Sequence, residues 1–296
     1  MEEREGRESR DGPGGDTVRE PGREPEQEGD ERAPELVVGL GASAGGLKPL
    51  ADFLAALDED LGAAFVVVQH LDPDRASTAP ELLQARTSLT VRKAEDGEPL
   101  RPGHVYVNPP DTRIAVRGGT LELRSPLEDR GHPTVVDLLF RSLADDQRHR
   151  SVAVVFSGTG SDGTLGVTRV REAGGLTMAQ DPETAQFRDM PENAIATGDV
   201  DVVLSPPALA SYLSSYVQRR SVYGPEQRQL ETGELLAEIT RILKEKTDID
   251  FSLYKESTLL RRIERRYLMS DVGDLGDYVE LLEDDPQEVA QLHADL

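Results

Sequence analysis

Short apolar runs alternate with amphipathic stretches of helix length from residue 35 to about residue 217. Apolar runs bounded by turn-forming residues predict strands at 36–40, 65–69, 89–93, 104–107, 152–156, 176–180 and 201–204. Between them, four stretches space their apolar residues three and four apart, as helices that pack on one side do: LKPLADFLAALDE, TAPELLQART, VVDLLFRSLADD and GTLGVTRVREAGG. Strands that alternate with helices predict an α/β domain with a largely parallel sheet.

Other parts of the chain follow different patterns. The stretch TRIAVRGGTLELR alternates apolar and polar residues on either side of Gly118-Gly119, which predicts a β-hairpin. Residues 1–34 are charged and rich in Gly and Pro, so they indicate a disordered acidic leader. Residues 218–232 are polar and aperiodic and read as a linker, whereas 233–296 carry apolar stripes that predict a small all-helical domain.

Composition narrows the classes of function. The 296 residues include no cysteine, which excludes disulfides, thiolate metal sites and thiol catalysis and suits a reducing cytoplasm. A formal net charge of −23 argues against binding nucleic acid or anionic lipid, and both a halophilic origin and simple solubility produce such an excess. We find no apolar run long enough to insert in a membrane, and the charged N-terminus is no secretory signal.

The stretch ELVVGLGASAGGLKPL, where the first strand meets a helix, supports two interpretations. Taken from Gly39, it fits the G-x-G-x-x-G/A turn that holds a dinucleotide pyrophosphate; taken from Gly41, it fits G-x-S-x-G, which presents Ser43 as a nucleophile. A dinucleotide site also needs an acidic residue at the end of the second strand, and Gln69 and His70 stand there instead. The pattern therefore favours the serine.

A catalytic serine needs a histidine and a carboxylate at the same sheet edge. His70 follows the second predicted strand, and His132, at the start of a predicted helix, is its only serious competitor. The stretch VAVVFSGTGSDGTLG repeats the strand, glycine turn and helix, and it places Asp162 where Ser43 lies in the first unit. Three residue types at one edge predict a hydrolase triad in the chain order Ser, His, Asp.

The same residues carry a resemblance to a known family. GASAGG, VVVQHL, GHPTVVDLLFRSLA, FSGTGSDGTLGV, AGGLTMAQDPETAQF and MPENAIATGDVDVVL occur in this order within 35–217 and together resemble the catalytic domain of the CheB protein-glutamate methylesterases of chemotaxis. The resemblance implies a doubly wound α/β fold with helices on both faces of the sheet and a triad of Ser43, His70 and Asp162. It also implies hydrolysis of glutamyl methyl esters on chemoreceptor helices, with glutamine deamidation as a second activity and no cofactor.

Some residues depart from the family pattern. Ala44 and Thr159 flank the predicted site where family members often have Thr and Met, which bears on substrate preference and oxyanion geometry. The residues before 35 are too few and too polar for the phosphoryl-accepting receiver domain common upstream in this family, so we do not expect control by phosphorylation. A non-catalytic receptor-binding adaptor of a chemosensory array is the alternative function.

The helical tail has a resemblance of its own. The stretch STLLRRIERRYLMSDVGDLGDYVELLED is similar to the N-terminal helical domain of the CheR receptor methyltransferases, and 233–296 therefore read as part of a truncated fusion without a site for S-adenosylmethionine. A helix over 257–268 would carry four arginines in a basic band: Arg261, Arg262, Arg265 and Arg266. The band indicates either a dock for acidic receptor helices or a solvated face.

Overall fold

A computed structural model describes residues 33–58, 60–69, 78–125, 134–222, 227–251, 254, 256–270 and 272–296. Its strands are β1 (Leu36–Ala42), β2 (Ala63–Gln69), β3 (Thr90–Lys93), β4 (His104–Val107), β5 (Arg113–Arg117), β6 (Thr120–Arg124), β7 (Ser151–Val155), β8 (Leu176–Gln180) and β9 (Val202–Leu204). Its α-helices are α1 (Leu47–Ala55), α2 (Ala79–Gln84), α3 (Val135–Gln147), α4 (Thr164–Glu172), α5 (Asp189–Ala196), α6 (Pro206–Val222), α7 (Gln227–Thr247), α8 (Glu256–Met269), α9 (Leu275–Asp284) and α10 (Pro286–Asp295).

Seven strands form one parallel sheet in the order β3-β4-β2-β1-β7-β8-β9. From β1 the chain winds outward through β2 on one side, and from β7 it winds outward through β8 on the other side. This order is that of a doubly wound sheet, so the predicted fold class is confirmed. The β5–β6 pair is antiparallel and separate from the sheet, and Gly118 and Gly119 at its turn have φ of 60° and 74°.

Helices cover both faces of the sheet because the inner strands are apolar on both sides. In β1, Leu36, Val38 and Leu40 face α1, α2 and α6, whereas Val37 faces α3, α4 and α5. The two glycines of β1 lie on the α3 side, where an added Cβ would come within 2.7 Å of Leu143 at Gly39 and within 2.3 Å of Val136 at Gly41. The strand thus lets α3 pack against its backbone.

Most predicted elements of the α/β domain are present within two residues of their expected ends. The strands predicted at 104–107 and 176–180 have those bounds, and the hairpin closes at the predicted glycines. The polar stretch 218–232, expected to be an irregular linker, is different. Helices α6 and α7 extend into it from both sides up to 222 and from 227, because Gln, Glu and Arg favour helices even without an apolar stripe.

The tail is helical as predicted and shares one apolar cluster with the α/β domain. Ile239 of α7, Ile263 of α8 and Tyr278 of α9 are buried in the cluster that also contains Leu213 of α6. Among the described residues, no helix is both long and apolar enough to cross a membrane.

Buried charges also join the tail to the α/β domain. Arg265 of α8 donates to the carbonyl oxygen of Gly175 at 3.0 Å and pairs with the carboxylates of Asp201 and Asp295. Arg171 of α4 pairs with the same two carboxylates. We call Arg171, Asp201, Arg265 and Asp295 the interdomain ion cluster. Only 4% of the Arg265 side chain and 1% of the Asp201 side chain are exposed.

The predicted basic band on α8 is therefore not an open docking face. Arg262 donates to the carbonyl oxygens of Asp295 and Leu296, and Arg266 forms an ion pair with Glu288 at 2.7 Å. With Arg265 in the ion cluster, three of the four arginines are held by contacts within the chain, and the Arg261 side chain lies outside the described residues. The sequence left open a receptor dock or a solvated face, and these three side chains are instead held by carboxylates and main-chain oxygens that are distant in the sequence.

Candidate active site

The carboxyl edge of the sheet between β1 and β7 is where the two halves of the fold diverge. A doubly wound sheet opens a crevice at this switch point, and ligands and chemistry are usually found there. Ser43 directly follows β1, and Asp162 lies in the turn between β7 and α4. The structure therefore brings two of the three predicted triad residues to one switch point.

The turn that carries Ser43 is tied to the turn that follows β7. The Ser43 N–H donates to the carbonyl oxygen of Ser157 at 3.0 Å, and the Ser157 hydroxyl donates to the carbonyl oxygen of Ala44 at 3.0 Å. That same hydroxyl accepts from the Phe187 N–H at 3.0 Å. Ser157 is fully buried and holds three loops at fixed spacing.

Two glycines allow this close approach. Gly45 has a φ of +69°, a conformation that glycine adopts without strain, and the N–H of the next residue, Gly46, donates to the Ser43 carbonyl oxygen at 3.0 Å. An added Cβ on Gly158 would lie 2.1 Å from the Met190 sulfur and 2.8 Å from the Ser43 Cβ. Residue 158 must therefore be glycine for the loop after β7 to contact the Ser43 turn.

Asp162 is buried and its carboxylate caps a helix other than its own. Its Oδ2 accepts from the Val136 N–H at 3.1 Å, and its Oδ1 accepts from the Asp137 N–H at 2.9 Å and from the Thr134 hydroxyl. The residue is 8% exposed. The first N–H groups of α3 have no partners within the helix, and a carboxylate there is stabilised by hydrogen bonds and the helix dipole.

Asp137 caps α4 in return. Its Oδ1 accepts from the Gly166 N–H at 2.8 Å. Burial raises the pKa of the Asp137 carboxyl, and the nearby Asp162 carboxylate raises it further, against the hydrogen bond from Gly166. Two buried carboxyl groups thus lie beside each other, one at the start of each helix.

Both candidate histidines, His70 and His132, lie outside the described residues. The strand before His70 is described: Gln69 pairs with Ala42, the residue before Ser43, in the parallel register of β1 and β2. Asn108, buried after β4, accepts from the Gln69 N–H at 2.9 Å and donates to the Gln69 carbonyl oxygen at 3.1 Å. This pair of bonds fixes the end of β2.

The structure does not support the dinucleotide interpretation of the first glycine turn. Gly39 and Gly41 lie inside β1 beneath α3, so they are not in a turn that could approach a pyrophosphate. Among the residues that the structure describes, no three His, Cys, Asp or Glu side chains are grouped as metal ligands would be.

Sequence reasoning missed five polar residues that hold this site: four are buried (Asn108, Asp137, Ser157 and Gln180) and one, Thr134, is exposed. The Gln180 side-chain oxygen accepts from the Ser157 N–H at 2.9 Å. A signal existed for two of them, since Thr134 and Asp137 have the spacing of a helix capping box. That spacing predicts a cap within α3 and gives no sign of the contacts with Asp162.

Comparison with known families agrees with this geometry. The model of the family described as CheB methylesterase matches residues 38–213, and that of the family described as CheR methyltransferase, all-alpha domain, matches residues 234–296. A solved structure of the Thermotoga maritima CheB methylesterase catalytic domain is 31% identical, with a TM-score of 0.55, and the match covers 60% of this chain and 97% of that domain.

Curated relatives point the same way. The chain is 38% identical over 186 residues to a protein-glutamate methylesterase/protein-glutamine glutaminase of Geobacillus kaustophilus, covering 61% of this chain and 53% of that protein. It is 37% identical over 238 residues to an uncharacterized 104.1 kDa protein of Rhodobacter capsulatus, covering 73% of this chain and 25% of that protein. The chain thus spans about half or less of these relatives. With its family model matched over more than half its length, the chain belongs to the CheB methylesterase family.

Proposed function

We propose that this chain is a protein-glutamate methylesterase in which Ser43, His70 and Asp162 form the catalytic triad. One observation carries the proposal: the Ser43 N–H donates to the carbonyl oxygen of Ser157. This bond ties the Ser43 turn to the loop that leads from β7 to Asp162, at the switch point of the sheet. Several relatives are named for this activity, among them the proteins of Geobacillus kaustophilus and Rhizobium meliloti.

The proposed reaction is acyl transfer in two steps. Ser43 Oγ attacks the carbonyl carbon of a glutamyl methyl ester while His70 takes the hydroxyl proton, and His70 then gives that proton to the departing methoxide. Water attacks the acyl-serine by the same route, so that the products are methanol, a glutamate carboxylate and free Ser43. Asp162 orients His70 and stabilises its positive charge.

The oxyanion of the tetrahedral intermediate needs hydrogen-bond donors in fixed positions. The N–H groups of Ala44 and Thr159 are the candidates, since each belongs to a turn that the Ser157 bonds hold, and neither donates to another described residue. Main-chain donors explain how Ala and Thr can replace the residues more common in the family at these positions. The side chains would then adjust substrate preference.

The proposed substrates are methylated glutamates on the cytoplasmic helices of chemoreceptors, and glutamine side chains there are proposed for a second, amide-hydrolysing activity that releases ammonia. The two-activity names of the relatives support this pairing. We place the reaction in the cytoplasm, which the absence of cysteine suits. Residues 1–34, 35–217, 218–232 and 233–296 remain the proposed leader, catalytic domain, connection and CheR-like domain.

The deciding experiment measures methanol release from a methylated receptor fragment. We expect Ser43→Ala to lower kcat by three orders of magnitude or more, on the order of the loss seen for triad serines, with an unchanged thermal midpoint. His70→Gln should have a similar effect, whereas the matched His132→Gln should retain activity. More than about a tenth of wild-type turnover in Ser43→Ala would contradict the assignment.

The same assay separates the enzyme from a non-catalytic adaptor. An adaptor would bind the receptor fragment without releasing methanol, and Ser43→Ala would then bind as the wild type does with no activity lost. The buried hydrogen bonds that fix Ser43 and Asp162 favour the enzyme, because an adaptor surface does not require them.

A further inference from the structure

Helices α3 and α4 exchange their N-terminal caps. Asp162, which precedes α4, accepts the N–H groups of Val136 and Asp137 at the start of α3. Asp137, in the first turn of α3, accepts the N–H of Gly166 in the first turn of α4. Neither helix has a side-chain cap of its own. The Asp162 carboxyl group therefore fixes the start of α3, which carries Asp137, and the Asp137 carboxyl group fixes the start of α4, which follows Asp162.

The turn that carries Asp162 depends on this exchange. Gly163, the next residue, has a φ of +96° and no side chain with which to cap α4. Asp137 supplies the missing acceptor at Gly166, in the first turn of α4. Without it, the buried Gly166 N–H would lose its partner and the turn would relax. Asp162 would then move with the turn.

Thr134 connects the two carboxyl groups. Its hydroxyl donates to Asp162 Oδ1 and lies 3.3 Å from Asp137 Oδ2. A hydroxyl has one proton but two acceptor lone pairs, so with its proton on Asp162 it can accept from a protonated Asp137. Burial and the Asp162 charge raise the pKa of Asp137, which favours that protonated form.

We propose that Asp137 is a positioning residue for Asp162, which it holds by anchoring the turn from Gly163 to Gly166 and by sharing the Thr134 hydroxyl. The inference rests on the proposed catalytic role of Asp162. Asp137 does not touch the reacting atoms in this scheme. Its role is to keep the carboxylate of Asp162 at the distance and angle that the catalytic histidine requires, where small displacements are costly.

The test compares kcat and KM for methyl-ester hydrolysis in three variants. Asp137→Ala removes the anchor, and we expect kcat to fall about 10- to 100-fold, as for a displaced catalytic group, with KM unchanged within about twofold. Asp137→Asn keeps an oxygen for the Gly166 N–H and gains an amide donor for Thr134, so it should stay within about threefold of the wild-type kcat. A near-normal kcat in Asp137→Asn beside a low kcat in Asp137→Ala is the result that is specific for a positioning role.

Ser142→Ala is the matched control. Its hydroxyl donates to the Leu139 carbonyl oxygen at 2.7 Å and accepts from the Val116 N–H at 2.9 Å, on the same helix but beside the β5–β6 hairpin. We expect this variant to lower the thermal midpoint and to leave kcat unchanged. If both variants lost kcat in proportion to the fall in their thermal midpoints, the loss in Asp137→Ala would reflect stability alone. That result would overturn the positioning role.

Further outcomes distinguish this inference from the proposed function. A wild-type kcat in Asp137→Ala beside an inactive Ser43→Ala overturns the role of Asp137 alone. Full turnover in Ser43→Ala overturns both. If Asp137→Ala does not fold, the kcat values of Asp137→Asn and Thr134→Val decide. A near-normal kcat in Asp137→Asn and a kcat lowered about tenfold in Thr134→Val support the inference. Near-normal kcat values in both variants overturn it.

Discussion

Asp137 carries a carboxyl group whose ionisation is unfavourable in the folded protein. Burial is the main cause of its raised pKa, and the Asp162 carboxylate adds to it, while the N–H of Gly166 opposes it. The folded state therefore holds this proton more tightly than the unfolded chain does. The resulting stability is fully present below the unfolded pKa of about 4 and is lost as the pH rises through the folded pKa.

Asp137→Asn should remove that loss, because an amide cannot ionise. We predict that the variant gains free energy of unfolding relative to the wild type as the pH rises from about 4 through the folded pKa, and that the difference is constant above it. Urea unfolding at pH values from 4 to 8 measures the difference. A difference that shrinks as the pH rises would show that Asp137 is ionised more easily in the folded protein than in the unfolded chain.

Sequence reasoning proposed Ser43 and Asp162 as triad residues because each follows an apolar strand in a glycine-rich turn, a pattern that local chemistry imposes. It did not identify Asp137, whose partner Gly166 lies 29 residues further along the chain. It preferred His70 to His132 because His70 follows a strand at the same sheet edge, and the family resemblance agrees with that choice; both residues lie outside the described ones. The local sequence around a residue such as Asp137 does not indicate its role, because the role depends on contacts with residues distant in the chain.

At the scale of elements, the contact between α3 and α4 holds the site together. Gly166 lies where the two helices meet, and an added Cβ would come within 2.5 Å of the Phe140 Cβ and 3.1 Å of its ring. The Phe140 Cβ is attached to the backbone of α3 and cannot rotate away. The two helices would therefore have to separate, and the Gly166–Asp137 hydrogen bond between them would lengthen.

We predict that Gly166→Ala destabilises the protein by about 1–3 kcal/mol, as overpacking usually does. Alanine favours helix over glycine by about 1 kcal/mol, so the overpacking must exceed that gain. Gly276→Ala in α9 is the control, since among the described atoms outside its own helix backbone and its chain neighbours, the added Cβ would meet one, the Asp274 carboxylate oxygen at 3.1 Å. It should be neutral or stabilising in urea unfolding. A stabilised Gly166→Ala would mean that α3 and α4 adjust freely.

The strands were predictable because each is a short apolar run between turn residues, and burial on both faces of a parallel sheet demands such runs. Helices α5 and α6 were not predicted. Pro191 interrupts the apolar pattern of α5, although proline is tolerated in a first helical turn, and the Ser and Tyr residues of α6 weaken its apolar stripe. The spacing of apolar residues did not predict these two helices, because tertiary contacts stabilise them more than a regular apolar stripe does.

At the scale of the whole molecule, the interdomain ion cluster connects a CheR-like helical domain to a CheB-like catalytic domain. Its contacts lie at the start of β8 and β9, the edge opposite Ser43. Arg265 lies 64 residues from Asp201 and 30 from Asp295 in the sequence, so no local pattern showed that these charges are paired. Burial alone would lower the pKa of Arg265, but Asp201 and Asp295 outweigh it and raise that pKa.

Arg265→Met tests whether this cluster holds the two domains together. Methionine keeps much of the side-chain volume but leaves two buried carboxylates with Arg171 as their remaining cation in the cluster. Removal of one partner from a buried ion pair costs about 3–5 kcal/mol, because an uncompensated charge stays behind. We predict a loss of this size in urea unfolding, with faster proteolytic release of the helical tail.

Arg241→Met in α7 is the matched control for the same change. Arg241 also pairs with several carboxylates, those of Glu238, Glu245 and Glu283, but its side chain is 44% exposed, and solvent-exposed pairs contribute little. The control should unfold and be digested as the wild type is. In a double-mutant cycle, Arg265→Met and Asp201→Asn together should cost less than the sum of the two single changes, because each removes the unpaired charge that the other leaves. Additive costs, or an Arg265→Met variant as stable as the control, would mean that the apolar cluster alone joins the domains.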